Sequence, residues 1–148
     1  MKFGAITPSK VITWIVIIVI ILIIIYIIYR RISKAIQDSK DKQLVSSADD
    51  AIIQNALTYP TADYKAMADK LFIAMDGVGT DEDAIKEVLN KLRTKSDWYA
   101  LVKAFGIRKS TSIWSSFTGN LVQWLANELS GNDRKEVNDI LAKFSVQI

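Results

Sequence analysis

The sequence predicts an all-α protein: a single N-terminal transmembrane helix, a helical stalk and a compact five-helix domain. Three observations lead there. Val11 to Tyr29 is a 19-residue span without a charge, and 11 of its residues are Ile. Arg30 to Tyr59 is polar and contains neither Gly nor Pro. Beyond Pro60, apolar residues recur at helical spacing in five successive segments.

The first element follows from length and composition. An α-helix of that length reaches about 28 Å, close to the ~30 Å hydrocarbon core of a bilayer. Trp14 at one end and Tyr26 and Tyr29 at the other stand where interfacial aromatics are expected. The apolar run is too long for a signal-peptide core, and Arg30-Arg31 follows it in place of a small-residue cleavage site. Lys2 and Lys10 precede the span, whereas Arg30, Arg31, Lys34, Lys40 and Lys42 follow it. This excess favours a cytoplasmic C-terminal domain in a single-pass membrane protein. The chain therefore divides into a tail (residues 1–10), the span (11–29), a juxtamembrane stalk (30–60) and a helical domain (61–148).

In the stalk, Ile32, Ile36, Ile52, Ile53, Ala56 and Leu57 are spaced for a helical stripe. Tyr59-Pro60-Thr61 breaks it, and Thr61 is placed to cap the next helix. That helix runs from Thr61 to Met75. Ala84, Ile85, Val88, Leu89 and Leu92 give the second helix one apolar face, and Trp98, Leu101, Val102 and Phe105 give the third. Ser112 to Leu129 supports a fourth, and Val137, Ile140, Leu141 and Phe144 a fifth. Trp98, Trp114 and Trp124 fall on these apolar faces and are expected in the core.

Charge and composition narrow the function. The chain is basic, with a pI of about 9.1. Yet residues 1–42 carry seven Lys or Arg against Asp38 and Asp41, while the remainder is net negative by two. The basicity belongs to the membrane flanks, which removes the main support for nucleic-acid binding. Without Cys there are no disulfides or thiolate metal sites, and without His the commonest general base and zinc ligand is missing. Nucleophile elbow, phosphate-cradling loop and HExxH are all absent, so neither an enzyme nor a small-molecule substrate is expected. Ser39-Lys40-Asp41-Lys42 satisfies Ser-x-x-Lys formally but lies in a charged stretch without partner motifs. Glu128 with Glu82 is the carboxylate pair left for acid-base work.

The segment Ala74-Met75-Asp76-Gly77-Val78-Gly79-Thr80-Asp81-Glu82 carries most information. Gly77 and Gly79 allow the chain to leave the first helix through positive φ and let backbone carbonyls converge. Outward carbonyls are hard oxygen ligands of the kind calcium prefers. Thr80 is expected to N-cap the second helix in a box with Asp83. The bland alternative is a Gly stop signal followed by a capped start.

This segment resembles the calcium loop of an annexin repeat, and Asn127-Glu128-Leu129-Ser130-Gly131 is similar to the context of the family's distant acidic ligand. The resemblance covers about Ala62 to Phe144. It implies that the carbonyls of Met75, Gly77 and Gly79, with Glu128, hold calcium, and that Thr80 and Glu82 form a secondary position. Val78 is then the residue that meets acyl chains, with Arg108 and Lys109 toward anionic headgroups. Three departures stand against it. Gly79 to Glu128 spans 49 positions, longer than family repeats, with the surplus around Gly106 to Ser116; there is one such loop rather than several; and the N-terminus carries an apolar membrane span.

Two functions of different classes emerge. In one, a membrane-anchored domain binds calcium and, through it, phospholipid or a partner surface. In the other, a calcium-independent adaptor links a membrane to a protein partner or to copies of itself. A minor membrane protein of a lipid-containing virus or phage, or an envelope component, would fit that second description.

Overall fold

The computed structural model describes residues 8–112 and 116–148, with the side chains of 8–14, 35–38 and 41 excepted. Two compact units divide between Ser39 and Lys40, inside the first helix, α1 (Pro8–Ala51).

In the first unit, Ile15–Lys34 forms a helix with mean hydropathy 2.8, long and apolar enough to cross a membrane. None of that window is buried against protein. Ile15 through Ile28 are all exposed, the reverse of what water would select. A helix satisfies its own backbone groups, which is the condition hydrocarbon imposes. Tyr26 and Tyr29 are exposed near its C-terminal end, and the Trp14 side chain lies outside the described residues.

The second unit is all-α apart from one short ribbon. The last turns of α1 belong to it: Ala48 is fully buried and Leu44 rests on the core. The stalk helix ends at Ala51 instead of running to Tyr59. Residues 52–60 form a strap with one 3-10 turn, Gln54–Ala56. Hydrogen bonds to Thr94 and Ser96 compete successfully with helix continuation there: Ile53 N–H donates to Ser96 Oγ at 3.2 Å, and Thr94 Oγ1 donates to the Ala56 carbonyl at 2.8 Å.

Then come α2 (Thr61–Met75), α3 (Glu82–Lys91) and α4 (Lys95–Phe105). The N-cap of α2 is Pro60, with Thr61 already helical, so the expected Thr61 cap does not form. The expected apolar faces do: Leu71, Ile85, Val88, Leu89 and Leu101 are completely buried. Helix α2 lies against both α3 and α4.

The fourth helix differs from expectation. In place of a helix from Ser112, β1 (Arg108–Lys109) pairs antiparallel with β2 (Thr118–Gly119), with Arg108 opposite Gly119 and Lys109 opposite Thr118. Helix α5 is short, Leu121–Glu128. Asn120 opens it, because its side chain accepts from Gln123 N–H while Gln123 Oε1 accepts from Asn120 N–H, a reciprocal capping box. Helix α6 (Gly131–Leu141) and a 3-10 turn, Ala142–Phe144, close the unit. Trp98 and Trp124 are buried as expected, while Trp114 lies outside the described residues.

Candidate functional site

The corner between α2 and α3 is built from backbone first. Asp76 N–H donates to the Phe72 carbonyl at 2.8 Å and ends α2, and Asp81 N–H reaches back to the Ala74 carbonyl at 3.0 Å. These two bonds close the intervening residues into a tight loop. Gly79 has φ of 87°, a conformation L side chains rarely adopt. Gly77 does not share it, contrary to expectation: its φ is not positive, and an added Cβ would sit in ordinary contact, 3.6 Å from the Gly79 carbonyl. One glycine is therefore needed for conformation and the other is not.

Thr80 is not the N-cap of α3. Asp81 takes that position, accepting from Ala84 N–H at 2.9 Å, and the Thr80-Asp83 box does not form. The Thr80 hydroxyl is engaged elsewhere. It donates to Glu128 Oε2 at 3.1 Å, joining positions 48 residues apart. The long interval has thus not kept the carboxylate from the end of the loop.

Glu128 is the last residue of α5 and is half-buried. Its other oxygen, Oε1, accepts from Asn127 Nδ2 at 2.8 Å. Arg134 secures the helix end from α6: its Nε donates to the Leu129 carbonyl at 3.0 Å and its Nη2 to the Ala126 carbonyl. A cation at a helix C-terminus also meets the negative end of the dipole. Sequence reasoning missed Arg134; its position just after the Ser-Gly stop of α5 was the signal.

The carbonyls of Met75, Gly77 and Gly79 accept no hydrogen bond from the described residues, which leaves their lone pairs available. Among the described residues, no group of three or more His, Cys, Asp or Glu side chains is placed to hold a metal ion. A cation at this corner would rest on backbone oxygens and one carboxylate, hard ligands that fit calcium and not a transition metal. Glu82 begins α3, and among the described residues no hydrogen bond joins it to Glu128 or Thr80.

Of the three residues expected to meet lipid, Val78 is fully exposed at the loop tip and Lys109 is exposed on the ribbon. Arg108 is not available. Its Nη2 pairs with Asp69 at 2.7 Å, its Nε donates to the Phe105 carbonyl at 3.0 Å, and its guanidinium stacks over Phe72 and Phe105.

Asp76 carries no motif that marks it in the sequence. Its carboxylate accepts from Ser110 Oγ at 2.6 Å, from Thr111 N–H at 2.9 Å and from the Thr111 hydroxyl. Burial pushes its pKa up, but these bonds from Ser110 and Thr111 outweigh it and hold the carboxyl below its ordinary value.

A second polar centre lies under the strap. Asp97 is completely buried, yet five donors reach its carboxylate. Oδ1 accepts from Thr58 N–H at 2.8 Å and from the Tyr64 hydroxyl; Oδ2 accepts from Thr58 Oγ1 at 2.7 Å, Arg93 N–H at 2.9 Å and Thr94 N–H at 3.0 Å. Burial alone would raise its pKa, but Tyr64, Thr58 and Arg93 bring it down to about 2. Burial, then the hydrogen bond to Asp97, push Tyr64 up to about 12. The signal in the sequence was Thr94-x-x-Asp97, a capping box that α4 uses.

Comparison with known proteins found no matching family model, no similar curated protein and no similar solved structure.

Proposed function

We propose that this chain is a single-pass membrane protein whose C-terminal domain binds calcium at the α2–α3 corner and uses the ion to grip an anionic surface. The carbonyls of Met75, Gly77 and Gly79 and the Glu128 carboxylate supply the ligands, and Thr80 and Glu82 flank them. Phospholipid phosphate or a partner's carboxylate fills the remaining positions, as the resemblance to annexin repeats implies. The observation that carries this reading is the 3.1 Å contact of Thr80 with Glu128, which brings the one distant carboxylate to the loop. Val78 at the tip and Lys109 on the ribbon supply an apolar point and a positive charge for that surface. The Lys/Arg excess after the span favours the cytoplasmic side for the domain.

A donor set of one carboxylate and several carbonyls binds weakly, with Kd about 10⁻⁴–10⁻³ M. Calcium bound when present supplies a bridging charge and no covalent chemistry. The chain's own residues fix the loop, hold Glu128 and leave Val78 outward.

One observation favours the second reading, a calcium-independent adaptor that docks on a protein partner or on copies of itself. The Thr80 hydroxyl already closes the loop onto α5 without an ion. Calorimetric titration of calcium into the full chain in neutral-lipid nanodiscs separates the two. The ion bridge requires heat that Glu128→Gln removes, and calcium-dependent co-sedimentation with anionic liposomes. No heat up to about 10 mM calcium, well past the weak end of such sites, leaves only the adaptor.

A further inference from the structure

We propose that the β ribbon is a brace for the α2–α3 corner and that Asp76 is the positioning residue through which it acts. The inference rests on the calcium reading for its consequence, though not for its geometry.

The ribbon meets α2 at two places along one side of the helix. Arg108 pairs with Asp69, and Ser110 and Thr111 hold Asp76, about two turns further on. Asp76 lies between Met75 and Gly77, so clamping its side chain fixes the peptide group that carries the Met75 carbonyl, which accepts no hydrogen bond from the described residues, and the one that leads into Gly77. The ribbon's other strand ends at α5. Gly119 abuts the Gln123 side chain, where an added Cβ would come within 2.6 Å of Oε1, and Gln123 is half of the capping box that starts the helix. Trp124 Nε1 donates to the Arg108 carbonyl at 3.1 Å. Glu128 is one turn beyond Trp124.

One ribbon therefore grips the loop at its first residue and the start of the helix that delivers Glu128. Arg108, Ser110 and Thr111, which lie in the stretch that lengthens the interval between loop and carboxylate, are among the residues that tie them together. The carboxylate of Asp76 is spent on this, because three donors occupy it. It positions ligands and is not one.

Two variants in the full chain test the role. Asp76→Asn removes the charge, and the double variant Ser110→Ala/Thr111→Val keeps that charge but removes two of its three bonds. Outer partners of this kind alter metal affinity about 10-fold or more. Both variants are expected to weaken calcium binding about tenfold by calorimetry. Amide hydrogen exchange of Gly77 to Asp81 should also quicken while exchange in α4 and α6 is unchanged. Were Asp76 itself a ligand, the double variant would free it and bind calcium as well as or better than the parent; that result overturns the proposal. Unchanged loop exchange in both variants also overturns it. If the parent chain takes up no calcium, the calcium reading fails, and the brace is then decided by loop exchange alone.

Discussion

Two carboxylates of the C-terminal unit make opposite use of similar hydrogen-bonding partners. Asp97 under the strap is fully buried and accepts from five donors, so nothing more can approach it. Glu128 at the corner is half-buried and accepts from two, leaving lone pairs open. A saturated carboxylate is a fastener, whereas an unsaturated one has capacity for a ligand. The strap follows α1 in sequence and fastens it to α4, whereas the corner is left open.

The comparison breaks most sharply at Asp97. Asp97→Asn keeps the shape but turns one acceptor into a donor, facing either the Arg93 and Thr94 amides with the Thr58 hydroxyl or the Thr58 amide with the Tyr64 hydroxyl. Leaving such groups unmatched in the core costs about 3 kcal/mol or more. Urea unfolding of the full chain in micelles should show that loss, and proteolysis should open first within 52–60. Full stability in the variant would mean that the strap is held by the packing of Ile52 and Leu57 and by its bonds to Ser96 and Thr94.

Acid tests the same fastener without mutation. The Asp97 carboxyl goes from about 4 in the unfolded chain to about 2 when folded. A lowered folded pKa means that the unfolded state binds more protons between these values. The contribution, about 2 kcal/mol, is complete above roughly pH 4 and vanishes as pH falls toward 2. Tyr64 behaves in the opposite sense. Its folded pKa is raised to about 12, so its contribution holds below its ordinary value near 10 and disappears as pH rises from 10 to 12. Asp97→Asn should flatten the acid limb in pH-dependent unfolding. An unaltered limb would assign acid sensitivity to other carboxylates.

These contrasts also show how much could be read from residue order. The α2 boundaries and the apolar faces of α3, α4 and α6 follow from period and breakers, since burying one stripe is what those helices are for. The proximity of Glu128 to the loop was implied by resemblance alone, and no spacing argument could have placed residues 48 positions apart at 3.1 Å. The ribbon was hidden because Phe117, Leu121, Trp124 and Leu125 read as one helical face when the Asn120–Gln123 box between them is overlooked. Thr80 misled for a related reason. A hydroxyl before a helix is a good cap locally, but the tertiary bond to Glu128 took it and Asp81 capped instead. Arg108 looked like a free cation because nothing in the sequence places Asp69 opposite it.

Within the corner, the two glycines sharpen the distinction between a shape and a mere absence of side chain. Gly79→Ala forces an L residue into positive φ and is expected to cost about 1–2 kcal/mol. Gly77→Ala, with ordinary van der Waals space and no positive φ, should change thermal stability by less than about 0.5 kcal/mol. Equal effects on unfolding would show that the loop relaxes around either substitution.

The smallest effect on the fold is the most telling for function. Glu128→Gln preserves an acceptor for the Thr80 hydroxyl and keeps the Ala126 and Leu129 carbonyls on Arg134. The half-exposed site lets water complete what the amide lacks, so the cost should be under about 1 kcal/mol in urea unfolding. Set beside Asp97→Asn, the same acid-to-amide change then differs severalfold in stability. A large loss at Glu128 would mean that its carboxylate fastens the fold just as that of Asp97 does, and the corner would have no oxygen to spare for an ion. A small loss, together with abolished calcium heat, leaves ligand binding as what the charge at Glu128 is for.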